Sequence, residues 1–301
     1  MKILKLTVSL LIIGVLSGCI GARNHEPVSR NALENKTDVT SLTKTIADIE
    51  QALGSPVGVS IYDVQAKKSW SHHGDRRFPL MSTFKTLACA KTLRDIEAGA
   101  LSFDDSVVIE KTALVTWSPV TSRYVGQAFS LKQACEAMMT MSDNTAANII
   151  LTHTGGPEAL TSFARSLSDT VTRLDRMEPD LNEARKGDLR DTTTPDAMAG
   201  NLRALLLGNE LSDESKALLT NWMRGNKVSG SLLRSVLPKG WDIADRSGSG
   251  GHGSRGIAAV VWPAPEEPLV VCIYLTQTTA SFEELNKSIA SIGRAIFALY
   301  Q

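Results

Sequence analysis

The chain of 301 residues is long enough for one large or two modest domains, and its 43% hydrophobic and 21% charged residues give the balance of an ordinary globular protein. Lysine and arginine together number 32, as do aspartate and glutamate, so the formal net charge is zero. Because no basic block or aromatic-interleaved basic stripe is present, the sequence excludes a nucleic-acid-binding surface of the usual electrostatic kind.

Residues 1–18 have the form of a lipoprotein-type signal peptide. Lys2 and Lys5 precede an apolar run over residues 6–16 that is too short to span a bilayer. The ending Leu-Ser-Gly-Cys at Cys19 resembles a bacterial lipobox, which implies lipid attachment to the Cys19 thiol and an exported, periplasmic protein anchored to a membrane. The alternative is an ordinary secretory signal with an accidental cysteine. The polar, aperiodic stretch that follows predicts a tether over residues 19–40.

Hydrophobic periodicity predicts two strands near the start of the remaining chain and a helical middle. A helical pattern over residues 46–53 ends at Gly54, and a strand over 57–64 is followed by its hairpin partner over 68–72. The next helical run begins near Ser82 and stops at Gly99. Residues 114–127 are loop-like. Further helices are predicted over residues 130–141, 146–153, 157–167, 195–207 and 213–224.

Residues 173–194 lack periodicity and are rich in charge, which predicts a long loop, and long loops in compact domains are usually functional. Strands are predicted over residues 243–249, 256–263 and 268–277, and a final helix begins with a capping box from Ser281 to Glu284.

The distribution of these elements predicts an α+β fold. Strands lie at both ends of the chain and helices lie between them, so the two ends must meet in one antiparallel sheet. We expect an α/β sandwich of residues 41–75 and 226–301, with N- and C-terminal helices flanking the sheet, and an inserted all-α domain of residues 76–225.

Ser82 and Lys85 form a Ser-x-x-Lys motif at the start of a helix, one turn apart on the same face. A serine hydroxyl is a poor nucleophile until a base removes its proton, and a partly buried amine near other cations can lose its own proton and serve as that base. Taken alone, a capping serine beside a surface lysine is the simpler interpretation.

Three further stretches change that interpretation. Ser142-Asp143-Asn144 places a second hydroxyl and a carboxamide at a junction of two helices, where they could donate to a substrate and relay a proton. In the long loop, Glu178 and Asn182 could hold and deprotonate a water. The strand segment Arg246-Ser247-Gly248-Ser249 offers a cation, hydroxyls and a glycine that permits close approach.

These four motifs, in this order, resemble those of class A serine β-lactamases. The resemblance extends from about Ile46 to the C-terminus, and it implies the serine β-lactamase and penicillin-binding-protein fold and hydrolysis of β-lactam antibiotics through a serine acyl-enzyme, which confers resistance. The strand motif of the family commonly begins with lysine, and Arg246 in that position resembles the carbenicillin-hydrolysing subgroup. We therefore expect carboxypenicillins to be among the substrates.

The resemblance also implies a role for each residue of the motifs. Ser82 would attack the lactam carbonyl, Lys85 would help to deprotonate it, and Ser142 would relay a proton to the lactam nitrogen. Glu178, with Asn182, would activate the water that cleaves the acyl-enzyme. The implied contacts with the substrate are the oxyanion hole of the Ser82 and Ser249 N–H groups, the carboxylate site of Arg246, Ser247 and Arg255, the acylamide contact of Asn144, the close approach at Gly248, and Trp117 at the mouth of the pocket.

The cysteines leave one pairing open. Cys272 lies in a strand-like run and is predicted to be a buried thiol, whereas Cys89 and Cys135 could form a disulfide in an oxidising compartment or could be two buried thiols that never meet. The resemblance implies the disulfide. It also implies an ion pair of Arg176 with Asp191 at the neck of the long loop.

Several other functions are not supported by the sequence. Gly248, Gly250 and Gly253 match a dinucleotide-binding spacing, but a strand-like run follows them instead of a helix. The five histidines show no ligand spacing, and the adjacent His72 and His73 are expected on opposite faces of a strand, so we expect no metal and no cofactor.

Two rival functions share most of the motifs. A penicillin-binding D,D-peptidase would acylate without turnover, and Glu178 with Asn182 argues against it. A lipoprotein sensor of β-lactams or an inactive wall-binding module would not hydrolyse them, and the intact Ser82, Ser142 and Glu178 argue against this second alternative. Met81 and Gly250 stand where some carbapenem-hydrolysing members carry a cysteine pair, so carbapenem hydrolysis is not predicted. No exposed apolar stripe is evident, and a monomer is expected.

Overall fold

The structure, a computed structural model, describes residues 36–301 of the chain. Its α-helices are α1 (Lys36–Leu53), α2 (Phe84–Glu97), α3 (Leu131–Thr140), α4 (Asn144–His153), α5 (Gly156–Ser166), α6 (Pro195–Leu202), α7 (Asp213–Arg224) and α8 (Phe282–Ala298). Its strands are β1 (Val57–Asp63), β2 (Lys68–His72), β3 (Phe78–Pro79), β4 (Ser106–Val108), β5 (Ala128–Ser130), β6 (Thr192–Thr193), β7 (Asp242–Gly250), β8 (Ser254–Trp262) and β9 (Leu269–Leu275).

The main sheet joins the two ends of the described chain. Its strand order is β2-β1-β9-β8-β7, and every neighbouring pair is antiparallel. The pairing of β1 with β9, in which Val57 lies opposite Leu275, closes the sheet across more than two hundred residues of intervening chain. This confirms the predicted antiparallel sheet with a helical insert.

Strand alternation divides the apolar residues of the sheet between two cores. On β9, Val271 and Ile273 face α1 and α8, whereas Val270, Cys272 and Tyr274 face the helical side of the molecule. Because both faces of β9 are covered, all seven of its residues are buried and its sequence is a continuous apolar run.

The C-terminal helix, α8, begins with a capping box and covers one face of the main sheet together with α1. Both hydrogen bonds of the predicted capping box form between Ser281 and Glu284 at the start of α8. The apolar stripe of α8 then packs with α1 on the sheet through Leu285, Ile289, Ile292 and Ile296.

The helical part is arranged around α2, which is packed against α3, α4, α5 and α7. Such central burial explains why most of α2 is apolar or small. α6 departs from the predicted division of the chain, because it packs on β1 and β9 and so covers the inner face of the sheet. The segment of residues 76–225, predicted as an all-α domain, therefore contains one helix, α6, that packs on the sheet.

Two sequence predictions are wrong at the N-terminal side. α1 begins at Lys36, so residues 36–40 are helical and the predicted tether cannot extend to residue 40. The buried Leu42 and Ile46 continue the apolar spacing of the helix toward its start, but the surrounding serine and threonine residues, which favour helices weakly, obscured that pattern in the sequence. The signal peptide and Cys19 lie outside the described residues. Within residues 36–301, no helix is both long and apolar enough to cross a membrane.

The expectation that His72 and His73 point to opposite faces is also wrong. β2 ends at His72, and His73 has a φ of 47°, which places it in the left-handed region just beyond the strand. Alternation of side chains applies only within a strand, so the turn of the backbone brings both imidazoles to Glu50.

Candidate active site

The Ser82 hydroxyl lies in a 3-10 turn, Met81–Thr83, directly before α2. The predicted helix start is therefore confirmed, with one tight turn ahead of the α-helix. β7 passes so close to this turn that a side chain at Gly248 would meet it: a Cβ atom there would lie 2.6 Å from Met81 Cβ and 2.7 Å from Ser82 N. Only glycine allows this approach.

The loop between α3 and α4 presents Ser142 from a strained backbone with a φ of 61°. Asp143 holds the loop, because its carboxylate caps α4 through Ala146 N at 2.9 Å and accepts hydrogen bonds from Val120 N and Thr121 N, each at 2.9 Å. The sequence motif thus contains a structural residue, Asp143, between two residues that face the site.

Lys85 is completely buried and is the hub of the polar network. Its Nζ donates to Asn144 Oδ1 at 2.6 Å and to Ser142 O at 3.0 Å, and it lies 3.4 Å from Ser142 Oγ. Ser142 Oγ in turn donates to Ser82 Oγ at 3.0 Å. Lys85 is therefore linked to Ser82 through Ser142, whereas the sequence suggested a direct contact.

Burial lowers the pKa of Lys85 from its usual 10.5 to about 8. The Glu178 carboxylate at 3.1 Å opposes this shift, and the charge of Arg246 adds to it. At pH 7 about a tenth of the Lys85 amines are consequently neutral and able to accept a proton.

The long loop is closed at its neck by the expected ion pair. Arg176 Nε lies 2.6 Å from Asp191 Oδ2, and Asp191 Oδ1 accepts the backbone N–H groups of Asp175 and Arg176 at 2.7 and 3.0 Å. A second contact, from Arg176 Nη1 to Glu183 Oε2 at 2.7 Å, ties the middle of the loop to the same guanidinium. The loop is thus held as a rigid unit that carries Glu178 inward.

Asn148 is a positioning residue that sequence reasoning missed. Its side chain donates from Nδ2 to Glu178 O and accepts from Glu178 N at Oδ1, both at 2.9 Å. It lies one turn after Asn144 on α4, but nothing in its spacing distinguishes it from any polar residue of a helix. These two hydrogen bonds fix the Glu178 backbone against α4.

Glu178 and Asn182 present buried oxygens that accept no hydrogen bond from the described part of the chain. Asn182 Nδ2 donates to Glu178 Oε2, which fixes both side chains. Glu178 Oε1 has the ion-pair contact with Lys85 but no well-aligned hydrogen bond, and Asn182 Oδ1 is without a partner. Because the two side chains are hydrogen-bonded to each other, these two acceptors can take both protons of one water.

The site opens into a cleft of about 480 Å³. The predicted site residues that line it are Ser82, Trp117, Ser142, Asn144, Asn182, Ser247, Gly248, Ser249 and Arg255. Trp117 is 57% exposed at the rim, where its Nε1 donates to Met141 O at 3.0 Å. Asn144 donates from Nδ2 to Thr116 O at 2.8 Å, so its carboxamide is shared between this contact and Lys85. Val228 and Phe282 complete the lining and were not predicted.

Arg246 does not line the cleft, which corrects the expectation of direct contact with a substrate carboxylate. Strand alternation places it on the same face of β7 as Gly248, beneath the Ser82 turn, and it is 0% exposed. Its Nη1 lies 3.5 Å from Asn226 Oδ1, and its Nε and Nη2 have no partner among the described residues. Burial lowers the pKa of Arg246 to about 10, against the charges of Asp245 and Glu178, so it remains a cation.

Arg255 is the cation that lines the cleft directly. Its Nε donates to Asn286 Oδ1 and its Nη1 to Gly248 O, both at 2.8 Å, and its guanidinium lies over the Phe282 ring at 4.7 Å. Nearby, the buried Ser247 Oγ has no hydrogen-bond partner within the described residues. A fixed cation beside a free hydroxyl makes this end of the cleft suited to an anion.

Cys89 on α2 and Cys135 on α3 are buried and in contact, and both are free thiols in the structure. Burial, followed by the contact with Cys135, raises the pKa of the Cys89 thiol. The alternative in which the two thiols never meet is thus wrong, and the disulfide itself stays a prediction. Cys272 is a buried free thiol, as predicted.

Comparison with known proteins agrees with this geometry. A sequence model described as the beta-lactamase enzyme family matches residues 41–300. Beta-lactamase PSE-4 of Pseudomonas aeruginosa is 55% identical over 252 residues, which are 84% of this chain and 88% of the relative. The crystal structure of the chromosome-encoded beta-lactamase of Vibrio parahaemolyticus has a TM-score of 0.85 and 50% identity, covering 86% of this chain and 99% of that one.

An ancestral class A beta-lactamase also matches, with a TM-score of 0.83 and 44% identity over 85% of this chain and 99% of that one. The family model spans almost the whole described chain. These matches confirm the family that the motifs predicted: the chain belongs to the class A serine β-lactamases and is an enzyme that hydrolyses β-lactams.

Proposed function

We propose that the protein hydrolyses penicillins, including carboxypenicillins, through an ester at Ser82 that a water held by the long loop then cleaves. The observation that supports this most directly is the pair of buried acceptors, Glu178 Oε1 and Asn182 Oδ1, on the loop that faces the nucleophile. A penicillin-binding peptidase that only acylates would have no use for this pair.

In the acylation step, Ser82 Oγ attacks the lactam carbonyl carbon and its proton leaves toward the Lys85–Ser142 network. The hydrogen-bonded path from Ser82 Oγ through Ser142 Oγ to Lys85 supports Lys85 as the acceptor, because the pKa of Lys85 is lowered to about 8 by burial. When the C–N bond breaks, Ser142 returns a proton to the lactam nitrogen.

The developing oxyanion is assigned to the backbone N–H groups of Ser82 and Ser249. The close approach of β7 to the Ser82 turn, which the lack of a side chain at Gly248 permits, supports this assignment. The loss of one such donor typically raises the barrier by about 3–4 kcal/mol.

In the deacylation step, a water that donates to Glu178 Oε1 and Asn182 Oδ1 attacks the ester carbonyl, and Glu178 takes its proton. The carboxylate is held for this role by Asn182 and by the two hydrogen bonds from Asn148 to its backbone. The tetrahedral intermediate then collapses with cleavage of the C–O bond, the proton held by Glu178 returns to Ser82 Oγ through Lys85 and Ser142, and the penicilloate leaves.

Substrate carboxylates are assigned to the anion-binding end of the cleft. Ser247 Oγ and Arg255 contact the carboxylate that all penicillins carry, and Asn144, with Trp117 at the rim, faces the acylamide side chain. Arg246 acts from beneath the cleft as a permanent positive charge. That charge favours a substrate with a second carboxylate, which is the basis for including carboxypenicillins.

Two experiments test this function. The protein without residues 1–18 should turn over benzylpenicillin, whereas Ser82→Ala should not; a lasting mass adduct without turnover would instead indicate a penicillin-binding peptidase, and neither adduct nor turnover would indicate a sensor. In Arg246→Lys, the ratio of kcat/KM for carbenicillin to that for benzylpenicillin should fall. An unchanged ratio would refute the role given to Arg246.

A disulfide between Cys89 and Cys135 is proposed for the exported enzyme. The contact between the two thiols supports it, since an oxidising compartment would convert such a pair. After unfolding without reductant, an alkylating agent should modify Cys272 but neither of the paired cysteines. Modification of all three would show that the bond does not form.

Export as a monomeric lipoprotein remains the proposal for the N-terminal segment. Lipid at Cys19 would leave the enzyme attached to a membrane by its N-terminus, and Cys19→Ser should release it from the membrane fraction.

The division into an α/β part of residues 41–75 and 226–301 and a helical insert is likewise proposed, with α6 shared between the two.

A further inference from the structure

Three side chains outside the active site converge at the end of β2. Glu50 Oε1 lies 3.1 Å from His72 Nε2 and 3.2 Å from His73 Nδ1, and these three atoms all lie within 4.8 Å of one another. Glu50 and His72 are half-buried, and His73 is exposed at the surface. None of the three lines the β-lactam cleft.

The backbone holds this cluster in place from three elements. Glu50 is in the last turn of α1, and the Val57 N–H at the start of β1 donates to its Oε1 at 2.8 Å. His72 is the last residue of the edge strand β2, and the φ of 47° at His73 turns its ring back toward Glu50. A non-glycine residue in this conformation carries a steric cost. A shared function of the two imidazole rings would explain why the strained conformation is kept.

We propose that Glu50, His72 and His73 form a binding site for a divalent transition-metal ion such as Zn²⁺. Two ligands bound to tetrahedral zinc at about 2.0–2.1 Å lie about 3.3 Å apart, which is close to the two separations from Glu50 Oε1. Two imidazole nitrogens and one carboxylate oxygen are donors that suit zinc, nickel and copper, and not calcium or magnesium. Solvent supplies the remaining position, because the His73 side chain is 42% exposed.

The alternative is a carboxylate that only accepts hydrogen bonds from the two rings. In that arrangement Glu50 Oε1 accepts from the Val57 N–H at 2.8 Å and from His72 Nε2 at 3.1 Å, while His73 Nδ1 lies 3.2 Å from Glu50 Oε1 and 3.3 Å from Val57 O. The contact of His73 Nδ1 with Val57 O is just beyond the usual range of an N–H···O hydrogen bond. A metal ion takes one lone pair from each ring and one from the carboxylate oxygen, so binding replaces this long contact with a ligand bond, while the Val57 N–H still orients the carboxylate.

A metal bound here would tie the end of α1 to the edge strand of the sheet. Its effect would therefore be on the stability of the fold and not on β-lactam chemistry, since ligands that bind only the folded state stabilise it. The N-terminal helix, which closes one face of the sheet, would be fixed at a second point beside its packing on α8.

The test is a zinc titration of the tag-free protein by calorimetry, with competition against a chromogenic zinc chelator. We expect one ion per chain, with affinity reduced at least tenfold in His73→Asn and in Glu50→Gln. His252→Asn is the matched control, because His252 also has a positive φ, 52°, and lies in the turn between β7 and β8. Its zinc affinity should equal that of the unaltered protein.

Thermal unfolding gives a second readout. Zinc at about a hundred times its dissociation constant should raise the melting temperature of the unaltered protein and of His252→Asn by roughly 5 °C or more, and that of His73→Asn by far less. Unchanged hydrolysis of benzylpenicillin in each variant would verify folding. No stoichiometric binding, or equal affinities for His73→Asn and His252→Asn, would overturn the proposal, as would full affinity in Glu50→Gln.

Discussion

Replacing Glu178 with glutamine separates the two halves of the proposed reaction. The substitution keeps the size of the side chain and its place beside Asn182, but it removes the charge that takes a proton from the water. General-base catalysis contributes about 10²–10⁴-fold, so deacylation should slow by that factor, or by about 3–5 kcal/mol in barrier height. The penicilloyl ester on Ser82 should then accumulate.

The same substitution should leave acylation largely intact. The Glu178 carboxylate, 3.1 Å from Lys85 Nζ, raises the pKa of Lys85 against the larger effect of burial. Its removal lowers that pKa below about 8, and the fraction of neutral Lys85 at pH 7 rises. A base is therefore still available to Ser82, and the adduct should form as fast as in the unaltered enzyme or faster.

The assay is rapid mixing with benzylpenicillin, followed by mass spectrometry of the protein and measurement of the penicilloate. Glu178→Gln should show one adduct per chain and a steady rate reduced at least about a hundredfold. Asp180→Asn is the matched control: Asp180 lies on the same loop, but its side chain is exposed and does not line the cleft. If Glu178→Gln neither turns over nor forms an adduct, Glu178 is required for acylation, and the role given to Lys85 is wrong.

Three further predictions follow from the contacts. Gly248→Ala should lower kcat/KM by about 100-fold and also reduce the melting temperature, because the new methyl would lie 2.7 Å from Ser82 N and displace the turn. Asn148→Ala, which loses both hydrogen bonds to the Glu178 backbone, should lower kcat roughly tenfold while the burst of acylation persists. As pH rises, kcat/KM should increase with a midpoint near pH 8, because Lys85 loses its proton there. A profile that is flat from about pH 6 to 9 would contradict Lys85 as the base.

The fold could be predicted largely because its elements are long and regular. α7 has the predicted bounds and α8 begins at the predicted capping box, since caps and apolar periodicity agree there. The short strands β3 to β6 could not be predicted, because two or three residues carry no period. α1 is ten residues longer than the predicted helix, because serine and threonine residues around Leu42 obscure the apolar spacing near its start.

The site could be predicted where its residues form local motifs, and only there. Ser82, Lys85 and Ser142 converge because two helix starts meet, as the resemblance of the motifs to the family implied. The contribution of Asn148 depends on a backbone contact across thirty residues of chain, and no sequence pattern marks such a contact. His73 was misjudged for a related reason, since a single φ angle decides the direction of its ring.

The charge of Arg246 affects the site although its side chain does not line the cleft. A buried cation with only one long hydrogen bond costs folding free energy, and Asp245 and Glu178 offset only part of that cost. Lys85, buried to the same extent, has its pKa lowered to about 8, so a lysine at position 246 would also be exposed to a large downward shift. Arginine, lowered only to about 10, keeps its charge at neutral pH. A permanent positive charge therefore remains beneath Ser82, where it lowers the pKa of Lys85 and supports the proposed preference for anionic substrates.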